Sequence, residues 1–544
     1  MSTLTNPVIR GFAPDPSMIR AGAWYYVATS SFEWFPTIPI HRSRDLVNWE
    51  FAGHVQHAVP GGSLSGVPDS GGIWAPALSW DGRRFFIVYA VVRSLQMSYF
   101  NLETYICTAD DPAGEWSEPR RVAGHGFDPS LFHHEGRLWL LNLQNDHRPG
   151  GNRFDGIVLT ELDHDTFRPI GETRMVFQRD MEHERFVEGP KLLHHDGWFY
   201  LLLAEGGTGY EHGVLVARSR RITGPYEADH RPLLTSRDDP SQPLQKAGHG
   251  ELVRAPDGQW FLSHLASRPV QTARGPRCTL GRETAIQPVA WAADGWPRLK
   301  HGGWHPAVHV EVPDPPGDRD GAADPPPVHA ADEELPGWPW STLREPVDKT
   351  WSDTSARPGW IRLRGRHGPE SLWGQSLLAQ RITEHRSRVE VTVDAAPTTY
   401  TQAAGLVLWY NTEAYFTLDL TWTEPATERQ NGQQWRNQGR TVLTLTTRDR
   451  HGTRIEATRQ IPAGEPVTIG ADIDGADARF WMRRNGSECP IGPVLDFSEL
   501  SDEAGTRLRF TGAFAAIHAV DLVDGAFTAD FTDFRLTASH ASDD

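Results

Sequence analysis

Three acidic residues in the first half of the chain stand in similar sequence settings. Asp15 and Asp128 each open an Asp-Pro-Ser sequence, and Glu188 opens Glu188-Gly189-Pro190. Two carboxyl groups on opposite sides of a bond, one protonated and one ionised, are what glycoside hydrolysis requires. A third carboxyl can tune the pair electrostatically. The sequence therefore predicts an acid–base site built from these three residues.

The surroundings of the acids suggest different roles. Asp15 lies between Pro14 and Pro16, and a proline favours extended backbone in the residue before it. We therefore expect Asp15 to be held rigidly, which suits a base that orients water. Glu188 follows the apolar pair Phe186-Val187, and apolar neighbours raise the pKa of a carboxyl, which suits an acid. The alternative is structural: the acids bind backbone N–H groups where strands begin.

A short pattern that recurs five times indicates how distant acids can converge. Each copy is a glycine turn followed by an aromatic-rich apolar run, which is a hairpin signal. The glycines are Gly22, Gly82, Gly136, Gly197 and Gly258, at intervals of 60, 54, 61 and 61 residues. Five such hairpins, each with room for two more strands, predict a five-bladed β-propeller.

The strand before each glycine turn is predicted to line the channel of the propeller. These strands begin seven to nine residues before the turns, at Asp15, Ala75, Asp128, Glu188 and Gly250. Equivalent positions in different blades face one axis. The acids of blades 1, 3 and 4 would then meet, and like charges held close raise one another's pKa. Because that arrangement is costly, three acids in register favour a functional site.

The second half of the chain has a different pattern. Residues 312–337 are polar and rich in proline, which is typical of a semi-rigid linker. Beyond them, alternating runs such as 388–394 and the turn Asn485-Gly486 predict a two-sheet β-sandwich of the jelly-roll, concanavalin-like type. We therefore predict an all-β protein with a five-bladed propeller at 1–311 and a sandwich at 338–544.

Composition limits the class of protein. A chain of 544 residues is too long for one hydrophobic core. The formal charge of -17 argues against nucleic acid and anionic membranes as partners. The first ten residues do not read as a signal peptide, and no run is apolar enough to span a bilayer. Three widely spaced cysteines suggest neither a disulfide framework nor a zinc site. We expect a cytoplasmic protein.

Further short motifs surround the three acids. They are Gly11-Phe12-Ala13-Pro14-Asp15-Pro16-Ser17, Ser31-Phe32-Glu33-Trp34-Phe35-Pro36, Arg44-Asp45-Leu46-Val47-Asn48-Trp49, Gly72-Ile73-Trp74-Ala75-Pro76, Gly126-Phe127-Asp128-Pro129-Ser130, Glu188-Gly189-Pro190-Lys191, Gly248-His249-Gly250 and Leu280-Gly281-Arg282-Glu283-Thr284. Together they resemble glycoside hydrolase family 43, and most closely its two-domain β-xylosidases. The resemblance extends over nearly the whole chain and includes residues 404–411 in the predicted sandwich.

The resemblance implies a role for each polar group of the site. Asp15 would be the general base, Glu188 the general acid, and Asp128 the residue that tunes and positions the acid. Hydrolysis would invert the anomeric centre. Arg282 would bind sugar hydroxyls and help to hold the acids. The alternative for this arginine is an ordinary ion pair with a nearby carboxylate, either Glu283 or Asp45.

Five other residues would form the sugar pocket by the same resemblance. Phe32 and Trp74 would be its walls, although either side chain could equally belong to the core. His249 would lie at the floor, where a purely structural role is the alternative. Thr208 would line the pocket, and Phe514 is the candidate for a sandwich aromatic that closes it.

The resulting hypothesis is an exo-acting β-1,4-xylosidase that releases xylose from the non-reducing end of xylo-oligosaccharides. One alternative is an α-L-arabinofuranosidase, alone or as a second activity. Others are a non-catalytic carbohydrate-binding propeller and an endo-enzyme that cleaves polysaccharide in an open cleft. No cofactor is expected to be required, although some relatives hold a divalent cation at the channel axis near the histidine. Both a monomer and a homo-oligomer are compatible with the sequence.

Overall fold

The computed structural model describes residues 2–95, 100–180, 183–313, 335–423, 439–506 and 509–538. Within these ranges the chain forms β-strands, short 3-10 helices at Pro60–Gly62, Phe497–Glu499 and Asp502–Ala504, and no α-helix. The same ranges contain no helix with the length and apolar character needed to cross a membrane. The chain divides into two compact units, Met1–Pro269 with Arg282–Val328 and Val270–Gly281 with His329–Asp544. The predicted all-β class is confirmed.

The first unit is a five-bladed β-propeller, as predicted. In the described residues its blades are five antiparallel sheets whose strands pair in chain order, except that Leu234–Thr235 pairs with Gly213–Ser219. Blade 1 consists of Ser17–Ala21, Trp24–Ala28, Pro39–Ser43 and Glu50–His54, with the short strand Trp34–Phe35 inserted. Blade 2 consists of Gly72–Trp80, Phe85–Val92, Leu102–Ala109 and Arg120–Val122, and blade 3 of Ser130–His134, Arg137–Gln144, Gly156–Leu162 and Arg174–Phe177. Blade 4 consists of Val187–His195, Trp198–Glu205, Gly213–Ser219, Glu227–Ala228 and Leu234–Thr235, and blade 5 of Gln245–Arg254, Trp260–Ser267, Glu283–Trp291 and Pro297–Leu299.

The five predicted turn glycines all lie between the first and second strands of a blade. Each has a positive φ, with values of 58°, 95°, 73°, 73° and 91° for Gly22, Gly82, Gly136, Gly197 and Gly258. Glycine adopts this conformation without the steric cost that other residues incur. The strands that follow are largely buried, because blades pack against one another on both faces. The hairpin prediction is therefore confirmed.

The N-terminal segment fastens the start of the propeller to its last blade. Strand Ser2–Thr5 pairs antiparallel with His309–Val312. The backbone N–H of Gly11 then donates to the Glu283 carboxylate at 2.7 Å, and the N–H of Ala13 donates to the carbonyl oxygen of Arg282 at 3.0 Å. These contacts lead the chain along the third strand of blade 5. They bring Asp15 beside Arg282, although 267 residues separate the two in sequence.

One residue in or just before each inner strand has an unusual backbone conformation, with a positive φ. Asp15, Ala75, Asp128, Gly189 and His249 have φ values of 53°, 33°, 52°, 56° and 52°. The prediction that the following proline holds Asp15 in extended backbone is therefore wrong, since tertiary contacts outweigh the local preference. In blade 4 the residue with this conformation is Gly189, so Glu188 stands one position earlier than Asp15 and Asp128 do in their blades. In blade 5 the residue with the positive φ is His249, one position before Gly250, where the sequence placed the start of the strand.

The second unit is the predicted β-sandwich. Sheet A contains Ser352–Asp353, Ile361–Arg364, Thr528–Ala538, Arg386–Ala395, Val467–Asp474, Asp477–Arg484 and Ser487–Pro490 in that order, with Leu495–Asp496 paired to Asp477–Arg484. Sheet B contains Ser376–Arg381, Phe514–Asp521, Gln402–Asn411, Ala414–Thr423, Arg440–Asp449 and Gly452–Gln460. The short strand Thr342–Leu343 precedes both sheets. Alternate residues of Arg386–Ala395 are buried, as its sequence pattern predicts. The turn Asn485-Gly486 has positive φ at both residues, which suits a tight hairpin.

One segment between blade strands belongs to the second unit. The hairpin formed by Val270–Thr272 and Gly275–Arg277 lies between the second and third strands of blade 5 in the sequence. Its Arg274 donates hydrogen bonds to Asp496 and Glu499 of the same unit. Most of the predicted linker at 312–337 lies outside the described residues, and its boundaries stay a prediction.

Candidate active site

Asp15 is a buried carboxylate with strong hydrogen-bond donors on both oxygens. Ser30 Oγ donates to Oδ2 at 2.6 Å, and Arg282 Nη1 donates to Oδ1 at 3.0 Å. His249 Nδ1 lies 3.6 Å from the same Oδ1. Burial by itself raises the pKa of Asp15, but Arg282, His249 and the Ser30 hydrogen bond outweigh burial and hold the pKa below its usual value. Asp15 is therefore ionised at neutral pH.

Arg282 joins the base to the predicted sugar-binding residues. The Nη1 that contacts Asp15 also donates to Thr208 Oγ1 at 2.9 Å. The guanidinium carbon lies 5.5 Å from the centre of the Phe32 ring, which is a cation–π geometry. The alternative partner Glu283 is instead bound by Arg268, at 2.7 and 2.8 Å. Arg282 therefore belongs to the cluster of acids rather than to an unrelated ion pair.

Asp128 and Glu188 form the other half of the site. Asp128 Oδ2 accepts a hydrogen bond of 3.0 Å from the backbone N–H of Gly189, so it fixes the chain next to Glu188. The Glu188 side chain is partly exposed, whereas Asp15 and Asp128 are buried. Burial, followed by the charges of Asp128 and Asp15, raises the pKa of Glu188 well above its usual value. Burial and the Asp15 charge also raise the pKa of Asp128.

Two buried histidines lie beside Asp15. Burial lowers the pKa of His249 to about 4, so its imidazole is neutral at neutral pH. Burial, His249 and Arg282 lower the pKa of His212 to about 3. His212 Nδ1 contacts the carbonyl oxygen of Glu205 at 3.2 Å, and its Nε2 has no hydrogen-bond partner within the described part of the chain. The sequence did not identify His212, because the segment before strand Gly213–Ser219 has no distinctive motif.

Aromatic side chains extend from the base outward. The rings of Phe32 and Trp74 pack edge to face with centroids 6.2 Å apart. Trp74 Nε1 donates to the carbonyl oxygen of Ser70 at 2.9 Å, which fixes the indole. Trp74 also contacts Phe100 at 5.8 Å and Phe127 at 5.6 Å. Apolar faces next to carboxyl groups are typical of sites that bind sugars, whose C–H faces pack on aromatic rings.

A cavity of about 550 Å³ continues from this aromatic group. Its lining includes Phe100, His125, Gly126, Asn145 and Asp146, and Gly126 is two residues before Asp128. The Oδ1 of Asn145 is buried without a hydrogen-bond partner in the described residues. A ligand hydroxyl in the cavity could donate to this oxygen. The sequence did not predict the cavity, because loops from two blades form it.

The propeller therefore brings together eight of the nine residues predicted from the sequence: Asp15, Phe32, Trp74, Asp128, Glu188, Thr208, His249 and Arg282. Phe514 begins strand Phe514–Asp521 of the second unit and is buried there. Its predicted part in closing the pocket stays a prediction. Ser30 joins the site without having been predicted, and its serine-rich context, Thr29-Ser30-Ser31, gave no specific signal.

The predicted divalent cation at the channel axis would need protein side chains as ligands. Within the described ranges, one group of three His, Cys, Asp or Glu ligand atoms lies within 4.8 Å of one another, and it consists of Cys278, Asp502 and Glu503 of the second unit. His249 belongs to no such group of three within those ranges. The divalent cation stays a prediction.

Comparisons with known proteins follow the same division of the chain. A profile of the family described as glycosyl hydrolases family 43 matches residues 4–297, and one described as the beta xylosidase C-terminal concanavalin A-like domain matches residues 332–537. The chain is 38% identical to xylosidase/arabinosidase 43B of Humicola insolens, covering 100% of this chain and 99% of the relative. It is 36% identical to a xylan 1,3-beta-xylosidase of a Vibrio species, covering 98% and 99%. The crystal structure of xylan beta-1,4-xylosidase from Bacillus halodurans C-125 superimposes with a TM-score of 0.89 at 37% identity, covering 98% of this chain and 100% of that one.

Proposed function

Because this chain belongs to glycoside hydrolase family 43, we propose that it is an inverting exo-β-xylosidase that releases xylose from the non-reducing end of xylo-oligosaccharides. The observation that supports the proposal most strongly is the opposite electrostatic environment of two carboxyls. Asp15 is held ionised by Arg282 and Ser30, whereas burial and like charges keep Glu188 protonated. An ionised and a protonated carboxyl in one site form the acid–base pair that glycoside hydrolysis needs.

In this proposal Asp15 accepts one proton and Glu188 donates one. Asp15 takes a proton from a water molecule, whose oxygen attacks the anomeric carbon. Glu188 gives its proton to the glycosidic oxygen as the bond to the leaving sugar breaks. The attack and the departure occur on opposite faces, so a β-xyloside yields α-xylose. Such a water requires the two carboxyls to stand roughly 6.5–9.5 Å apart.

We assign Asp128 the role of tuning and positioning the acid. Its carboxylate binds the N–H of Gly189, and this fixes the backbone that carries Glu188. Burial raises the pKa of Glu188 most, and ionised Asp128 raises it further, so both favour the protonated acid.

The remaining residues of the cluster would bind the sugar. Arg282 Nη1 bridges Asp15 and Thr208, which places its guanidinium between the proposed base and a residue proposed to line the sugar pocket. Phe32 and Trp74 would form apolar walls of the sugar pocket, and the neutral His249 lies beside Asp15. These roles are proposals that the positions of the side chains support.

An α-L-arabinofuranosidase activity is the second candidate. The relative from Humicola insolens carries both xylosidase and arabinosidase in its name, and the chain is similar to it along its whole length. The linkage is also a matter for experiment, because the Vibrio relative is named a 1,3-beta-xylosidase and the Bacillus halodurans structure a beta-1,4-xylosidase. We propose the β-1,4 linkage.

We further propose that the reaction needs no cofactor, since carboxyl groups of the protein carry both protons. Dialysis of the enzyme against EDTA is then expected to leave kcat/KM unchanged. A loss of activity that Ca²⁺ restores would instead support a cation near His249.

The experiment that tests the proposal compares substrates and acids in one assay. Purified protein is assayed on p-nitrophenyl β-xyloside, p-nitrophenyl α-arabinofuranoside and the β-1,3- and β-1,4-linked xylobioses, with Asp15→Ala and Glu188→Ala alongside. We expect the β-xyloside and the β-1,4 dimer to be preferred, and both variants to lose orders of magnitude in kcat/KM. Preference for the arabinoside would overturn the substrate but keep the mechanism. Sugar binding without cleavage would indicate a carbohydrate-binding propeller.

A further inference from the structure

Glu205 is a buried carboxylate held between two arginines of the propeller. Arg179 Nη2 lies 2.8 Å from Oε1, and Arg237 Nη1 lies 2.5 Å from Oε2. Only 6% of the Glu205 side chain is exposed, so the charge is compensated by these two guanidinium groups. Arg179 follows the last strand of blade 3, and Arg237 follows the last strand of blade 4. We call these three residues the arginine clamp.

The clamp holds the backbone directly opposite the proposed acid. Glu205 is the last residue of strand Trp198–Glu205 and pairs with Val187, while its neighbour Ala204 pairs with Glu188. The N–H of Gly206 also donates to the carbonyl oxygen of Phe186 at 3.0 Å. The two strands are therefore joined at Glu188 and at the two residues before it by Ala204, Glu205 and Gly206.

The loop that carries Thr208 begins directly after Glu205 of the arginine clamp. Gly206 and Gly207 turn the chain with φ values of 78° and 70°, and Thr208 follows. His212 Nδ1 returns to the carbonyl oxygen of Glu205 at 3.2 Å and closes the loop. Thr208 Oγ1 accepts from the same Arg282 Nη1 that donates to Asp15. A shift of the loop origin is thereby transmitted to the base through two hydrogen bonds.

We propose that the arginine clamp is a positioning device for catalysis: through Thr208 and Arg282 it keeps Asp15 ionised and aligned. The inference rests on the proposed function, because it takes Asp15 as the base. The Glu205 carboxylate is bound by Arg179 and Arg237 rather than by the proposed acid or base, so it is a positioning residue. The charged and titratable groups that face Asp15 are Arg282, His212, His249, Asp128 and Glu188.

The test is Glu205→Gln, which keeps the shape of the side chain but removes the charge that both arginines bind. With the loop misplaced, we expect kcat/KM on p-nitrophenyl β-xyloside to fall by about 100-fold. Since Arg282 no longer favours the ionised base, the acidic limb of the pH profile should move upward by about one unit. Glu205→Asp, which restores the charge, should recover part of both effects.

The matched control is Asp229→Asn. Asp229 is equally buried, and Arg298 Nη1 binds it at 2.5 Å between blades 4 and 5, but its contacts lead to Val216 and Arg231 rather than to the acids. This variant should lower Tm while it keeps the wild-type KM and acidic limb. If Glu205→Gln shows the same behaviour as Asp229→Asn, the proposal is wrong. If Glu205→Gln does not fold, Arg237→Gln removes one of the two arginine contacts instead. Its kcat/KM and the acidic limb of its pH profile are then compared with those of the wild type.

The experiment distinguishes failure of the arginine clamp from failure of the proposed function. Asp15→Ala is measured in the same series. If Asp15→Ala retains activity, Asp15 is not the base and the proposed mechanism fails, whatever Glu205→Gln shows. If Asp15→Ala is inactive and Glu205→Gln has the wild-type pH profile, only the arginine clamp is refuted.

Discussion

At the scale of single residues, the environment gives chemically similar carboxyls different protonation states. Asp15 has a cation and a hydroxyl donor on its oxygens, whereas Glu188 has burial and two neighbouring acids. The first surroundings favour the carboxylate and the second favour the neutral acid. Pairs of titratable groups whose pKa values are pushed apart mark the acid and the base of a site.

Glu188→Gln should separate the need for an acid from the rest of catalysis. We expect kcat on β-1,4-xylobiose to fall by about 10²–10⁴-fold, because the departing sugar needs a proton. On p-nitrophenyl β-xyloside the loss should be smaller, since p-nitrophenolate is stable without that proton. Steady-state kinetics on both substrates checks this prediction. Equal losses on the two substrates would argue against Glu188 as the acid.

Asp128→Asn should move the alkaline limb of the pH profile. The Asp128 charge, after burial, raises the pKa of Glu188, so its removal lets Glu188 lose its proton at lower pH. We expect the alkaline limb of kcat/KM to shift to lower pH. The amide oxygen of asparagine can still accept from the Gly189 N–H, so the backbone contact is kept. An alkaline limb that stays in place would refute the tuning role.

The sequence identified most residues of the site, but not all of them. The acids and Arg282 were found because they stand in distinctive motifs. Ser30 and His212 were missed, since each acts through a contact made by folding rather than through its neighbours in sequence. The position of Glu188 was predicted in register with Asp15, but in blade 4 the residue with the corresponding positive φ is Gly189, so Glu188 stands one residue earlier.

At the scale of structural elements, the site depends on how each inner strand begins. In blade 4 the positive φ falls on Gly189, which directly follows Glu188 within strand Val187–His195. A Cβ at Gly189 would lie 3.0 Å from His249 Nε2 and 3.1 Å from the Cβ of Ala204. Asp15, Asp128 and His249 adopt a similar φ, so it is the close neighbours, added to the φ of 56°, that favour glycine there.

Gly189→Ala should impair both stability and activity. A left-handed conformation costs a residue with a Cβ roughly 1–2 kcal/mol, and crowding against His249 adds to it. We expect a lower Tm together with a lower kcat/KM. The matched control is Gly136→Ala, where φ is 73° and the added Cβ has open space around it. The control should lose stability and keep its activity, and an active Gly189→Ala enzyme would contradict the account.

The elements themselves were largely predictable. Five glycine turns at similar intervals gave the five hairpins, because glycine is favoured wherever φ must be positive. The conformation of Asp15 was not predictable from Pro16, since contacts with Arg282 and Ser30 override the local preference. Secondary structure thus followed from local pattern, whereas the start of each inner strand followed from the packing of blades.

At the scale of the whole molecule, the raised pKa of Glu188 makes the stability of the fold depend on pH. The pKa of Glu188 is raised in the folded state, so the folded protein gains stability below the ordinary pKa of glutamate and loses it as pH rises toward the raised value. Glu188→Gln should therefore match the wild-type Tm near pH 4 and exceed it increasingly toward pH 8.

The control variant is expected to change Tm in the opposite direction. Arg137 lowers the pKa of Glu161, so its ionised form stabilises the fold above the ordinary pKa, and Glu161→Gln should lower Tm at neutral pH. Differential scanning calorimetry across pH measures both variants. A Tm difference for Glu188→Gln that is the same at every pH would contradict the raised pKa.

The organisation of the molecule was foreseeable in outline only. Length required more than one core, and the change from repeated hairpins to alternating strands gave the propeller and the sandwich. The inclusion of Val270–Gly281 in the second unit was not foreseeable, because the segment lies inside the sequence of blade 5. Cytoplasmic location and the number of copies in an assembly stay predictions.

The most direct test of the central claim is the configuration of the first product. Wild-type enzyme is mixed with β-1,4-xylobiose in deuterated buffer, and the anomeric signals of the released xylose are followed by proton NMR before mutarotation. An ionised Asp15 that activates water, with Glu188 as the acid, predicts that α-xylose forms first. If β-xylose forms first, the reaction proceeds with retention and the assignment of Asp15 as a general base is contradicted.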